Sequence, residues 1–181
     1  RNINVTYIVM NNGIYGLTTG QASPTSETGM KTKSTPEGNL EGMLNPMALA
    51  LAAGCGFVAR GFSGQQKQLL QLYKEGIEHK GFSLIDVFSP CVTFNKIQTY
   101  PWFRERLYKL EDESHDPTDL RAANERALEW GSRIPIGLLY RNPDPRRPID
   151  ELDKSLEPGA LVHQSIEVSP EQRAKAIAEF M

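Results

Sequence analysis

Asn2-Ile3-Asn4-Val5-Thr6-Tyr7-Ile8-Val9-Met10 runs without a break into Asn11-Asn12-Gly13-Ile14-Tyr15-Gly16-Leu17-Thr18-Thr19-Gly20-Gln21-Ala22-Ser23-Pro24-Thr25. Residues 3–10 carry no charge and are rich in β-branched and aromatic side chains, which predicts a buried strand. The segment that follows offers side-chain amides, hydroxyls, backbone N–H groups and flexible glycines. Open α/β sheets bind ligands outside the carboxyl ends of their strands. A strand that opens into such a loop therefore marks the place to look for a phosphate or a metal ion.

The donors can be named. A hard divalent cation such as Mg2+ takes oxygen ligands. The Asn12 carboxamide oxygen and the Ile14 backbone carbonyl, two residues apart, can face one ion. Thr18, Thr19 and the Gly20 amide are placed to reach phosphate oxygens. On the residues alone, a plain Gly/Asn turn stands level with this reading, because Asn-Asn-Gly is a common turn sequence.

Working outward, the loop runs on to about Leu44 with few apolar residues, and a stretch of that length is more often functional than idle. Asn45-Pro46-Met47-Ala48-Leu49-Ala50-Leu51-Ala52-Ala53-Gly54 then reads as a buried helix, with Asn45 as N-cap, Pro46 at the first position and Gly54 as the stop. Phe57–Phe62 is a short strand. Ser63 is placed to cap a helix from Gln65 to His79, whose Leu69, Leu70, Leu72, Tyr73 and Ile77 form one apolar stripe. Gly81 ends it, and Phe82–Phe88 is a further strand with Ser89-Pro90-Cys91 at its carboxyl end. This alternation predicts an α/β fold: a mostly parallel sheet with helices on both faces.

From Pro101 the pattern predicts a short helix from Arg104 to about Leu110, a polar hinge over Glu111–Asp116, and a helix over Asp119–Trp130 capped by Thr118. Ile134–Tyr140 reads as an edge strand, where Pro135 is tolerated. Arg141 to Arg147 is irregular. Ser169-Pro170-Glu171 caps an amphipathic tail helix suited to packing or docking. Residues 1–150 thus form one domain and residues 151–181 a tail.

The 181 residues suffice for one domain with a substantial core. A hydrophobic fraction of 39% and a charged fraction of 23% are ordinary for a globular chain. The net charge of −2 gives no case for nucleic acid or an anionic membrane as partner. No apolar run approaches a membrane span, and no signal-peptide pattern opens the chain. The start also lacks an initiator Met, so the chain reads as part of a longer polypeptide. Cys55 and Cys91 share no CxxC spacing and make no zinc site alone. In a cytoplasmic chain, the setting expected here, both stay reduced. His79, His115 and His163 form no sequence cluster, and Arg141, Arg146 and Arg147 read as a solvated charge run.

Asn11-Asn12 followed by Gly13-Ile14-Tyr15-Gly16 and by Thr18-Thr19-Gly20-Gln21-Ala22-Ser23-Pro24-Thr25, then Asn45-Pro46, then Ser89-Pro90-Cys91-Val92-Thr93-Phe94-Asn95, resembles the β subunit of the 2-oxoacid:ferredoxin oxidoreductases. The resemblance covers most of residues 3–150, in its carboxyl-terminal part, and implies a partial thiamine diphosphate-binding fold. It implies that Asn12 and the Ile14 carbonyl hold Mg2+, that Thr18 lies near the diphosphate, and that Tyr15, Gly16, Leu17 and Thr19 line the cofactor or the 2-oxo acid. Thr19 carries no charge for a distal carboxylate, so that contact has to come from elsewhere. The family's Gly-Asp-Gly, whose Asp is a metal ligand, is not in this sequence and is expected before Arg1.

The same resemblance makes Cys91 the distant ligand of a [4Fe–4S] cluster, whose four thiolates include three expected upstream of Arg1. Cys55 is expected to be structural. The implied activity is oxidative decarboxylation of a 2-oxo acid to acyl-CoA, or its reverse, with 2-oxoglutarate favoured over pyruvate and electrons passed through the cluster to ferredoxin. The implied partners are an α subunit, in an (αβ)2 assembly, with ferredoxin, the 2-oxo acid and coenzyme A. A non-oxidative thiamine decarboxylase or carboligase, and a non-catalytic α/β interaction domain, are the alternative readings.

Overall fold

The computed structural model describes residues 2–144, 147–148, 152 and 167–179. Five strands form one sheet: β1 (Val5–Asn11), β2 (Phe57–Phe62), β3 (Phe82–Phe88), β4 (Leu107–Lys109) and β5 (Ile134–Arg141). Their spatial order is β1-β3-β2-β5-β4. β1, β3 and β2 are mutually parallel, β5 runs antiparallel to β2, and β4 runs parallel to β5. The mostly parallel α/β sheet is as expected.

Parallel strands need crossovers, and two helices supply them here. α1 (Pro46–Ala52) links β1 to β2, and α2 (Gln66–Glu78) links β2 to β3. Alternation along the strands sends side chains to opposite faces. Phe57, Ala59, Ile85 and Val87 pack with Leu72 and Leu69 of α2. Val58, Leu84 and Tyr140 pack with Met47 and Leu51 of α1 and with Ala123 and Ala127 of α4 (Leu120–Leu128). Helices therefore cover both faces. Phe57 and Ile85 are fully buried, and side chains of this size contribute about 1.5–3 kcal/mol each. A third cluster, Phe62, Phe88, Phe103, Ile134 and Ile136, closes the carboxyl end of the central strands with Trp102 and Trp130 packed against it.

Local chemistry explains several boundaries. The Asn45 Oδ1 accepts from Met47 and Ala48 N–H at 3.1 Å each, and its Nδ2 donates to the Ala127 carbonyl at 2.7 Å. One side chain thus caps α1 and ties it to α4. The Gly76 carbonyl of α2 accepts from the Thr6 and Ser83 hydroxyls at 2.9 and 2.8 Å, which fixes the helix over β1 and β3. The tail helix α5 (Pro170–Ala178) starts with a reciprocal capping box, in which Gln172 N donates to Ser169 Oγ and Ser169 N donates to Gln172 Oε1. The domain boundary expected at 150 falls outside the described residues.

Several expectations need correction. β1 is not buried: Val5, Tyr7 and Met10 are exposed, because the strand sits at the sheet edge and α2 reaches over only part of it. Leu49 of α1, and Leu70 and Ile77 of the expected α2 stripe, face outward. Ser63 caps nothing, since its hydroxyl pairs with Tyr100 Oη at 2.9 Å and the helix begins after Gln65. The helix expected at Arg104–Leu110 is instead α3 (Tyr100–Arg104), capped by Thr99, followed by strand β4 and a 3-10 turn over Leu110–Asp112. Asp119, not Thr118, caps α4. β5 is an interior strand, and Pro135 is tolerated because pairing with β2 stops at Gly137.

Candidate functional site

β1 and β3 end side by side, with Asn11 opposite Phe88. The Ser89 N–H donates to the Asn11 carbonyl at 2.8 Å. This bond makes neighbours of two segments far apart in sequence: the Asn12–Asn45 loop and the turn that begins at Cys91.

The loop is built from short polar side chains. Thr25 Oγ1 donates to Asn11 Oδ1 at 2.8 Å, and Ser26 Oγ donates to the Gly13 carbonyl at 2.7 Å. Buried Asn39 donates to the Ser26 carbonyl at 3.1 Å and pins the distal end. There Gly38 comes against the Gly29 backbone closely enough that a Cβ would lie 3.0 Å from its carbonyl oxygen. The result is a loop packed by its own polar side chains and backbone.

Within it, Asn12 Oδ1 accepts the Ile14 N–H at 3.1 Å, which holds the carboxamide over the turn. The carbonyls of Asn11, Asn12, Gly13, Tyr15 and Gly16 each accept a hydrogen bond, from Ser89, Asn95, Ser26, Gly20 and Thr19 respectively. Among the described residues nothing donates to the Ile14 carbonyl, although Ile14 is buried. A buried acceptor without a donor is unusual. A carboxamide oxygen and a backbone carbonyl oxygen are donor types that a hard cation takes.

The next turn offers the opposite charge. Thr19 N–H donates to the Gly16 carbonyl and Gly20 N–H to the Tyr15 carbonyl, at 3.1 and 2.9 Å. The Gly20 amide, expected to reach phosphate, is therefore already engaged. The consecutive N–H groups of Gly16, Leu17 and Thr18 have no acceptor among the described residues, and free N–H groups in a turn are donors that an anion can take. Thr18 Oγ1 donates to Gln21 Oε1 at 2.5 Å. Thr19 has a φ of 73°, a conformation costing a β-branched residue about 1–3 kcal/mol. Its hydroxyl accepts from Lys33 Nζ at 2.8 Å. Lys33, which no motif or spacing singles out, thus brings a cation to the one loop threonine noted for lacking charge. Leu17 is 99% exposed, not packed, and Tyr15 is exposed.

The turn after β3 underlies this loop. A Cβ on Gly13 would lie 2.7 Å from Gln98 Oε1, one on Gly20 would lie 3.1 Å from the Phe94 ring, and one on Gly16 would lie 3.5 Å from Cys91 Sγ. The loop glycines are seats for residues of the 91–98 segment. Cys91 is half-buried and unpaired. Burial pushes its thiol up, but the backbone N–H groups of Phe94, Thr93 and Asn95, with the Lys96 ammonium, outweigh that and bring it below its ordinary value. N–H groups of this kind favour the thiolate, the form in which a cysteine binds a metal. Cys55 differs: its thiol donates to the Phe57 carbonyl at 3.1 Å, and burial pushes it up. It is structural, as expected. No group of three His, Cys, Asp or Glu side chains is poised for a metal among the described residues.

Behind the loop lies a cavity of about 20 Å3, lined by Asn11, Asn12, Arg60, Asp86, Gln98 and Trp130 among others. That volume admits a water-sized group, not a cofactor.

The remaining candidates are structural. His79 packs on Phe57 with ring centroids 5.7 Å apart, and His115 bonds the Leu139 carbonyl at 2.9 Å. Arg141 pairs with Glu75. His163 and Arg146 lie outside the described residues.

This sheet, with helices on both faces and a long loop at its strand ends, defines a mostly parallel α/β domain. Residues 1–87 match the family of the C-terminal TPP-binding domain of thiamine pyrophosphate enzymes, and residues 91–156 match the family of the C-terminal region of the pyruvate ferredoxin oxidoreductase beta chain. A 2-oxoacid:ferredoxin oxidoreductase subunit beta from Saccharolobus solfataricus is 47% identical over 152 residues, 78% of this chain and 50% of that one. The 2-oxoglutarate oxidoreductase subunit KorB of Mycobacterium tuberculosis is 46% identical over 95 residues, 52% of this chain and 26% of its own length. Among solved structures, a 2-oxoglutarate:ferredoxin oxidoreductase from Magnetococcus marinus, with 2-oxoglutarate, coenzyme A and succinyl-CoA bound, superposes with a TM-score of 0.79 at 37% identity, covering 98% of this chain and 59% of that one. The chain belongs to the family of 2-oxoacid:ferredoxin oxidoreductase β subunits. It spans about half the length of the first of these curated relatives. No helix among the described residues is long and apolar enough to cross a membrane.

Proposed function

We propose that this chain forms part of an enzyme that oxidatively decarboxylates a 2-oxo acid to its acyl-CoA, or runs the reverse carboxylation, and passes the electrons through a [4Fe–4S] cluster to ferredoxin. The observation that carries this reading is the Ile14 carbonyl without a donor, beside the Asn12 carboxamide and with Cys91 against the same loop. In this reading Asn12 Oδ1 and the Ile14 carbonyl hold Mg2+. The N–H groups of Gly16, Leu17 and Thr18 hold the diphosphate. Thiamine diphosphate, when bound, supplies the nucleophilic carbon and the sink for the electrons left as CO2 departs.

The chain's own residues bind, orient and exclude water. Tyr15 and Leu17 project apolar surface beside the anion-binding turn, open to being covered by an α subunit. Cys91, its thiol already lowered, supplies one cluster ligand. A non-oxidative thiamine enzyme has no use for such a thiol at this place. Lys33, hydrogen-bonded to Thr19, offers an ammonium to a distal carboxylate, which favours a dicarboxylic 2-oxo acid such as 2-oxoglutarate over pyruvate.

The test is anaerobic. The full-length β subunit, assembled with its α subunit, is assayed for coenzyme A-dependent reduction of ferredoxin by 2-oxoglutarate and by pyruvate, alongside iron and sulfide analysis. Reduction that requires both coenzyme A and a 2-oxo acid supports the reading. Decarboxylation with no electron transfer, in a protein without iron, overturns it.

A further inference from the structure

Asn95 has no place in either candidate site, yet it touches both. It is 1% exposed and makes five hydrogen bonds. Its N–H donates to the Cys91 carbonyl at 3.0 Å, closing the turn that presents Cys91. Its Oδ1 accepts from the Ile97 and Gln98 N–H groups at 3.2 and 2.9 Å, which fixes the carboxamide plane. Its Nδ2 then donates to the Asn12 carbonyl at 3.1 Å and, more weakly, to Gln98 Oε1 at 3.4 Å. Gln98, also buried, sits behind the same peptide, with its Oε1 2.7 Å from where a Gly13 Cβ would lie.

The Asn12 carbonyl belongs to the peptide between Asn12 and Gly13. A hydrogen bond to that carbonyl restricts rotation of the rigid peptide plane about the two soft dihedrals that flank it. Those dihedrals aim the Asn12 carboxamide and, one residue on, the Ile14 carbonyl. A single buried side chain thus joins the Cys91 turn to the two oxygens assigned to the metal.

We infer that Asn95 is a positioning residue that couples the two sites, so that a metal centre ligated at Cys91 and Mg2+–thiamine diphosphate held at Asn12 strengthen each other's binding. This rests on the function proposed above. Ligation at Cys91 orders the turn, an ordered turn presents Asn95 to the Asn12 carbonyl, and the second ligand then binds a loop already fixed. By linkage the effect is equal in both directions.

The experiment uses the full-length β subunit with its α subunit, prepared with and without its iron–sulfur cluster, and titrates thiamine diphosphate in the presence of Mg2+ by calorimetry. In the wild type, cluster loading is expected to tighten cofactor binding by at least about fivefold. Asn95→Asp keeps the size of the side chain and the acceptor for Ile97 and Gln98 but lacks the donor to Asn12. In that variant the cluster content should stay at the wild-type level, while the affinity ratio between cluster-loaded and cluster-free protein falls to about one. The electron paramagnetic resonance signal of the reduced cluster, shifted by cofactor in the wild type, should no longer respond. Asn95→Ala, checked for folding by circular dichroism, should behave the same way. An unchanged ratio in Asn95→Asp, or equal cofactor affinity in both cluster states of the wild type, overturns the coupling. A wild type that binds no cofactor at all removes the site reading itself, and the coupling with it.

Discussion

Arg60 Nε and Asp86 Oδ2 face each other across β2 and β3 at 4.0 Å, with side chains only 2% and 1% exposed. The guanidinium donates to the Ala127 carbonyl at 3.3 Å and lies over the Phe88 ring. Burial pushes the Asp86 carboxyl above its ordinary range, against the opposing pull of Arg60 and of a hydrogen bond from Asn11. A pair so deeply buried gives little net stability, but loss of one partner strands the other charge. Asp86→Leu alone should cost about 3–5 kcal/mol in denaturant unfolding. Arg60→Met combined with Asp86→Leu should cost much less, and a double variant as damaged as the single one would contradict this account of the pair.

The two cysteines should differ sharply in reactivity. Cys91 is half-buried with a lowered thiol, and Cys55 is buried with a raised one. In protein freed of cluster, iodoacetamide should alkylate Cys91 faster, with its half-rate at a lower pH, and leave Cys55 unmodified until the fold opens. Peptide mass spectrometry across a pH series reads both. Equal rates at the two positions would remove the electrostatic argument for Cys91.

Lys33 carries the substrate argument. A charged hydrogen bond to a carboxylate is worth about 1.5–3 kcal/mol. In the assembled enzyme, Lys33→Met is expected to raise KM for 2-oxoglutarate by about tenfold or more and to leave KM for pyruvate nearly unchanged. A uniform loss with both substrates would show that Lys33 shapes the loop rather than reading the distal carboxylate.

Tyr108 ties part of the stability to alkaline pH. Its hydroxyl donates to Glu129 at 2.6 Å and accepts from Arg126 at 3.2 Å. Burial first, and then the Glu129 carboxylate, push the phenol from 10.0 up to about 12. A folded value above the unfolded one means that the contribution is complete below about pH 10 and is lost as pH rises toward about 12. Titration at 295 nm should show a tyrosinate step near pH 12 that is missing from Tyr108→Phe. The wild type should also lose more stability than the variant over that interval. Superimposable titration curves would contradict the assignment.

Much of this fold was legible because local signals agreed. Asn45 and Pro46 announce α1, and the uncharged apolar stretches at Phe57 and Phe82 mark the buried central strands. Asn12, Ile14 and Cys91 could be singled out by residue type and motif. What stayed hidden depends on contacts between distant segments. β4 is three residues long and half-polar, so no periodicity reveals it. Val5 and Tyr7 read as core because their composition is that of a buried strand, whereas exposure depends on which neighbours the sheet provides. Asn95 bonds a residue 83 positions away, and its role follows only from the adjacency of the β1 and β3 ends. The engagement of the Gly20 N–H by Tyr15 likewise follows from turn geometry rather than from composition.

The central claim is that Asn12 and the Ile14 carbonyl hold the metal of a thiamine diphosphate site, and calorimetric titration of the cofactor into the full-length β subunit with its α subunit tests it most directly. The wild type should bind thiamine diphosphate only when Mg2+ is present. Asn12→Ala should weaken that binding on the order of 100-fold while its circular dichroism stays that of the wild type. An Asn12→Ala protein that binds the cofactor with wild-type affinity and wild-type Mg2+ dependence would contradict the account.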